Sequence, residues 1–298
     1  MRLAYSANNS LEANQANDND YGILLESSEG NVLRDNLMSG NSYNFGANGI
    51  NDISRDNLVD NKPIYYLVGA SGDVIDSSSR AGAVYCFNCS EMTIKGLDLQ
   101  NNVKGIYLNN TTDSLLEDNK ISNNSYGIML IHSISNSIKN NEIEYSQIGG
   151  LILSFSEENS IENNNVVRNN NCGMSISYSY DNIIQENNVS INNNGLEIND
   201  SSDNLVMRNI LSLNEKNGLL IKRSTYNNIS LNDLSSNLKG AWLITSSENK
   251  INGNNISGNI DGIRLEFSEK NIILFNNISE NSNGITFDRK YANDINDN

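Results

Sequence analysis

From Ile94 to Ile285 one pattern of apolar and polar positions repeats every 22 or 23 residues. A glycine ladder marks it: Gly105, Gly127, Gly150, Gly173, Gly195, Gly218, Gly240, Gly262 and Gly284. Apolar residues stand one and three places after each glycine, as in Ile106/Leu108, Ile128/Leu130 and Ile263/Leu265. Two further aliphatic ladders run alongside, one from Ile94 through Leu116 to Ile273, the other from Leu99 through Ile121 to Ile278. Apolar residues two apart are strand alternation with one face inward. Each period therefore holds three short strands, separated by turns rich in Asn, Gly and Ser.

Periods of this length, without a helix to cross over, stack as coils of a parallel β-solenoid. Equivalent residues then lie about 4.8 Å apart, one above the other. The aliphatic ladders fill the bore. Asparagine, about a fifth of the chain, forms ladders of its own, of which the most regular is Asn119, Asn141, Asn164, Asn187, Asn209, Asn232, Asn254 and Asn276. Inward asparagines at a bend can hydrogen-bond to those above and below. Asn also tolerates the left-handed backbone that a corner needs, and Gly tolerates it better. The asparagines are thus expected to be corner posts.

The same pattern begins the chain, with Asn9, Asn14, Asn19 and Gly22-Ile23. It is lost between Tyr43 and Ser79 and resumes near Gly82, so the expected organisation has three parts. Residues 1–42 form the first coils, residues 43–81 an irregular inserted loop or hairpin, and residues 82–298 the main array of about ten coils. Both ends fall partway through a coil. An open coil edge associates unless shielded, so two expectations stand: a piece of a longer array, or end-to-end stacking of copies into a filament.

A net charge of −16 excludes nucleic acid and anionic membrane surfaces as partners. No apolar run is long enough to span a membrane, and no signal segment opens the chain. Three cysteines are too few for a disulfide framework. Cys86 and Cys89 have metal or redox spacing without a second pair, and inert or locally bridged thiols are the expectation. No cofactor is expected. A copper site wants clustered His, Met or Cys, whereas His132 is the only histidine and the methionines are scattered. Calcium, drawn to acidic columns, stays open.

The repeat Asn-x-Ile-x-x-Asn-x-Ile-x-x-Asn-x-x-x-Gly-Ile-x-Leu resembles the parallel β-helix repeats of carbohydrate-binding proteins and sugar hydrolases. The segment NFGANG…DNKPIYYLVG…VIDSSSRAG…NCSEMTIKGLDL looks like NosD-like surface proteins of archaea. That resemblance spans essentially the whole chain and implies a right-handed, extracytoplasmic β-helix.

Outward positions of the strand after each glycine follow from alternation. The nearest thing to a catalytic cluster among them is Glu197, Lys222, Arg264, Glu266 and Asp288, which reads more readily as a solvated, salt-bridged face. No convincing catalytic set, and no Ser/His/Asp combination, is available. Tyr107, Met129, Ile131, Ile152, Leu220, Trp242 and Ile244 place apolar groups where water is expected, which marks a contact surface. The expected function is a non-enzymatic extracellular scaffold, adhesive or self-assembling element. A polysaccharide-binding or polysaccharide-processing module (lyase, hydrolase or epimerase) is the alternative, with polysaccharide, other surface proteins or the chain itself as partners.

Overall fold

The computed structural model describes residues 1–289 and 292–298. The chain winds into a right-handed β-helix with coils of about 22 residues. Long strands stack in parallel from Ala83–Phe87 and Lys104–Asn109 to Asn283–Phe287. A second parallel sheet runs from Val74–Ile75 to Asp294–Asn296. The register steps one coil at a time, with Ile106 opposite Ile128 and Ile128 opposite Leu151. All three inward ladders share one continuous apolar core, with Ile278 and Ile285 at its end only partly buried.

The asparagine posts stand where expected. In the regular ladder each backbone N–H donates to the Oδ1 of the asparagine one coil on, for example Asn164 to Asn187 at 2.9 Å. Its Nδ2 also bonds the same oxygen at 3.0 Å and the Ile138 carbonyl at 2.9 Å. A buried amide thus satisfies main-chain groups that the bend strips of ladder partners.

The backbone reason for these residues differs from the expectation. The left-handed conformation falls on the residue just before each post, whatever its type: Asp118, Asn140, Asn163, Glu186, Arg208 and Leu231 have φ of 54 to 58°. The ladder glycines have ordinary φ. A Cβ on Gly127 would sit 2.4 Å from the Gly150 carbonyl oxygen, and one on Gly195 2.5 Å from that of Gly218. Those glycines serve close approach between coils, not turning.

Residues 43–81 also depart from the expected loop. Tyr43–Ala47, Asp52–Ile53 and Leu58–Val59 pair in parallel with Tyr21–Glu26, Val32–Arg34 and Leu37–Ser39. They form a third coil, hidden from the period because its posts are spaced more tightly: Asn31 bonds Asn51, and Asn36 bonds Asn57. Asp60 and Asn61 then turn the chain with φ of 47 and 62°. These paired left-handed residues make the tight two-residue hairpin for which Asn and Asp are suited. Lys62-Pro63 lies antiparallel to Leu58–Val59, and Ile64–Val68 pairs in parallel with Ala83–Phe87. The chain therefore reverses. A three-coil unit (residues 1–61) packs its own core against the outside of the main array, where Phe45, Ala47 and Ile53 share a cluster with Tyr66, Tyr85, Phe87 and Tyr107.

Candidate functional site

The long-strand sheet presents three outward columns. The second position after each glycine reads Tyr107, Met129, Ile152, Ser175, Glu197, Leu220, Trp242, Arg264 and Thr286, in strand register. Ile131, Lys222, Ile244 and Glu266 belong to the fourth-position column. The residue before each glycine also faces out, giving Lys104, Tyr126, Cys172, Asn194, Asn217, Lys239, Asp261 and Asn283. Sequence reasoning passed over that third column. Counting the alternation two places back from the second-position column finds it.

The three-coil unit covers the first part of this face. Tyr107 is buried and Met129 and Ile131 pack against the shared cluster. Tyr107 is therefore not available to stack on a sugar, while Met129 and Ile131 stay part-exposed along the edge of the junction. At the junction lies a cleft of about 340 Å³, lined by Tyr21, Glu26, Asn48, Lys104, Tyr107 and Tyr126 among others. Lys104 is buried there without a carboxylate partner among the described residues, and burial lowers its ammonium to about 7. Its Nζ donates to the Ala47 carbonyl at 2.9 Å and to Asn48 Oδ1, and lies 4.1 Å from the Tyr107 ring centre. These contacts oppose the desolvation by favouring the charged form.

Beyond Ile152 the face is half-buried and carries a polar network. Asn217 Nδ2 donates to Asn194 Oδ1 at 2.8 Å, and Asn194 Nδ2 donates to Glu197 at 2.8 Å. Burial raises the Glu197 carboxyl, against the hydrogen bonds from Asn194 and Asn199. Cys172 is pushed up to about 12 by burial, with Glu197 adding to it. Lys239 Nζ sits 4.3 Å from the Trp242 ring centre, and the Arg264 guanidinium 6.0 Å from it. Trp242 Nε1 and Asn217 Oδ1 are shielded from solvent and have no hydrogen-bond partner among the described residues.

The expected charged cluster divides in two. Arg264 gathers Glu266 at 2.6 Å, Asp288 at 3.4 Å and Asp261 at 3.6 Å. Glu197 stands three coils away with Lys222 one coil on, a separation of about 14 Å from the Arg264 group at 4.8 Å per coil. Two carboxylates flanking one glycosidic bond need roughly 5–10 Å. Glu197 and Glu266 do not meet that distance.

The family description "Periplasmic copper-binding protein (NosD)" matches residues 1–69, 60–217 and 212–298. The chain belongs to the NosD family. Among solved structures, a double mutant of the periplasmic alginate epimerase AlgG is 15% identical, covers 97% of this chain and 74% of its own, and has a TM-score of 0.61. The Azotobacter vinelandii mannuronan C-5 epimerase AlgE4 A-module is 16% identical, with coverages of 96% and 86% and a TM-score of 0.53. The DFA-IIIase of Arthrobacter chlorophenolicus A6 is 11% identical, with coverages of 85% and 66% and a TM-score of 0.54. Such distant likeness supports the fold. Among curated proteins nothing matches the chain.

Copper in the family description calls for soft donors. Among the described residues no group of three or more His, Cys, Asp or Glu converges, and His132 is stacked on Phe155 at 5.1 Å. Cys86 and Cys89, expected to be inert or bridged, are free buried thiols hydrogen-bonded to each other, which lowers Cys89 to about 7 and raises Cys86. Buried Met92 lies in the same apolar cluster. Two buried thiols with no histidine beside them leave the donor set for copper incomplete among the described residues.

Proposed function

We propose that this NosD-family β-helix is an extracytoplasmic protein that binds a polysaccharide along its outward face between Ile152 and Thr286, without cleaving it. One observation carries this reading. On adjacent coils Asn217 Oδ1 and Trp242 Nε1 are sheltered and unpartnered, beside the Asn194–Glu197 network and the Arg264 cation. A buried polar atom left unpaired costs about 1–3 kcal/mol. A sugar hydroxyl donates and accepts at once, so it satisfies either kind of atom once the side chains that shield that atom move aside. Aromatic, amide and carboxylate groups on one half-buried surface are the usual furniture of a site for a polar ligand with apolar faces. The engagement of Asp261, Glu266 and Asp288 by Arg264 favours binding over turnover, and the polysaccharide-processing enzymes among the structural neighbours support the ligand class. The family description and the periplasmic epimerase support the extracytoplasmic placement.

Affinity electrophoresis against alginate, pectate and neutral glucans tests this. Retardation by at least one polysaccharide is expected, weakened tenfold or more by Trp242→Ala, with no new reducing ends released. Equal mobility in every gel, or retardation indifferent to Trp242→Ala, overturns it. Chain cleavage or epimerisation abolished by Arg264→Ala replaces binding with the enzymatic alternative.

A further inference from the structure

The chain carries a net charge of −16, yet the cleft between the three-coil unit and the main array holds a sheltered cation. Lys104 lines that cleft and is 4% exposed. An ammonium has three donors. One goes to the Ala47 carbonyl and one to Asn48 Oδ1, both neutral acceptors from the three-coil unit. The third has no oxygen acceptor among the described residues. Glu26 is the one carboxylate among the described lining residues, and it is drawn into an exposed pair with Arg2 at 2.6 Å. A clamp on Ala47 and Asn48 needs no charge, because a neutral amide would donate as well. Burying an ammonium without its anion is costly, which points to an anion supplied from outside. The cleft also stands where the outward face stops. Met129 and Ile131 on its edge pair with Ile152 and Ser154 of the next coil. On the other side the three-coil unit closes it.

We infer that this cleft is a terminal subsite for an acidic polysaccharide, taking one chain-end hexuronate with its carboxylate on Lys104 and its ring against Tyr21 and Tyr126. The inference rests on the polysaccharide reading above and narrows its substrate class. A volume of about 340 Å³ lies at the low end of small-ligand pockets, roughly 300–1,000 Å³. It suits an end sugar better than a length of chain. A carboxylate completes the ammonium with a charge-assisted hydrogen bond. A phosphate group presents three strong acceptor oxygens and calls for several donors, whereas this cleft offers one. Ring hydroxyls meet Asn48, Ser125 and the tyrosines. Burial holds the Tyr107 and Tyr126 phenols above their ordinary value, so they stay neutral. Lys104, lowered to about 7, takes up a proton when the carboxylate arrives. From this end the polymer runs over Met129 and Ile152 onto the open face, and the three-coil unit is its stop.

Short oligosaccharides test the cleft by itself. Trp242 stands six coils from Tyr107, about 29 Å at 4.8 Å per coil, beyond the reach of a trimer lodged at Lys104. The full chain is titrated calorimetrically at pH 7 with trimers of galacturonate, mannuronate and guluronate, and with maltotriose and acetate as controls. At least one uronate trimer is expected to bind one per chain, at least tenfold tighter than either control, with a buffer-dependent heat that reports proton uptake. Lys104→Met is expected to weaken it at least tenfold, with thermal melting checking the fold. Tyr126→Ala, on the half-buried wall, leaves the Lys104 bonds in place and is expected to weaken it severalfold. Uronate trimers that bind no better than maltotriose or acetate overturn the inference, and that comparison needs no variant. So does binding indifferent to Lys104→Met. Trimer binding without retardation of any polysaccharide strikes the open-face reading and upholds the cleft. Retardation that depends on Trp242 without trimer binding strikes the cleft and spares the face.

Discussion

Asn119 donates both its backbone N–H and its Nδ2 to one atom, the Oδ1 of Asn141, at 3.1 and 2.9 Å. The same two-to-one grip recurs down the ladder, so each post holds the next coil by main chain and side chain together. Replacing an interior post strips several buried groups at once. Asn187→Ala leaves the Asn164 N–H and Nδ2 without their acceptor and the Ile161 carbonyl without its side-chain donor. A loss of about 2–5 kcal/mol is expected, read as a lower denaturation midpoint at unchanged m-value.

Glycine and left-handed residues should respond in opposite directions. Gly127→Ala forces a methyl onto the Gly150 carbonyl and is expected to cost several kcal/mol. Leu213 is exposed with φ of 59°, a conformation that costs a side-chained residue about 1 kcal/mol. Leu213→Gly, which keeps the backbone bond to Ser235, is expected to raise the melting temperature slightly. Thermal melts of the two variants check both signs.

Lys104 makes the junction sensitive to pH. Its ammonium falls from 10.5 in the unfolded chain to about 7 in the fold. The unfolded state therefore holds more protons between those values, and stability rises with pH across that window. Below pH 7 both states are charged and the burial cost is fully felt. A gain of at most a few kcal/mol is expected from pH 7 to 10, moderated by the contacts to Ala47, Asn48 and Tyr107. Lys104→Met should flatten this part of the stability–pH curve, measured by urea unfolding at fixed ionic strength.

Asp60 ties the reversal together. Its Oδ2 accepts from Asn44 Nδ2 at 2.8 Å and from Asn101 Nδ2 at 3.4 Å, linking the three-coil unit to the main array. Asp60→Ala is expected to cost about 1–3 kcal/mol and to speed hydrogen exchange in residues 43–47 before the main array. Asn61→Gly, compatible with the same turn, is expected to be neutral or stabilising. Exchange followed by mass spectrometry separates the two.

Much of the fold is legible in the sequence because a coil repeats its environment: Ile94, Leu116 and Ile138 meet the same bore and obey the same constraint. Asn51 and Asn57 were not legible as posts, since a coil shortened by one or two residues breaks a fixed count without breaking the stack. The reversal at Asp60-Asn61 was missed for a related reason, because two consecutive left-handed residues resemble the other Asn-rich corners. Candidate faces were legible by alternation, and Trp242 and Arg264 do stand outward. What covers a face is a matter of tertiary contact, so the burial of Tyr107 and the unpaired charge of Lys104 left no local signature.

The docked three-coil unit also dictates an order of events during synthesis. Phe45 accepts a hydrogen bond from Val103 and Asn44 donates one to Asn101, so the strand made first waits more than fifty residues for its neighbour. A nascent chain leaving the ribosome exposes that edge and the open end of its small core until Tyr107 has emerged. Chaperone dependence should therefore concentrate in this early interval, whereas every later turn finds its template already laid.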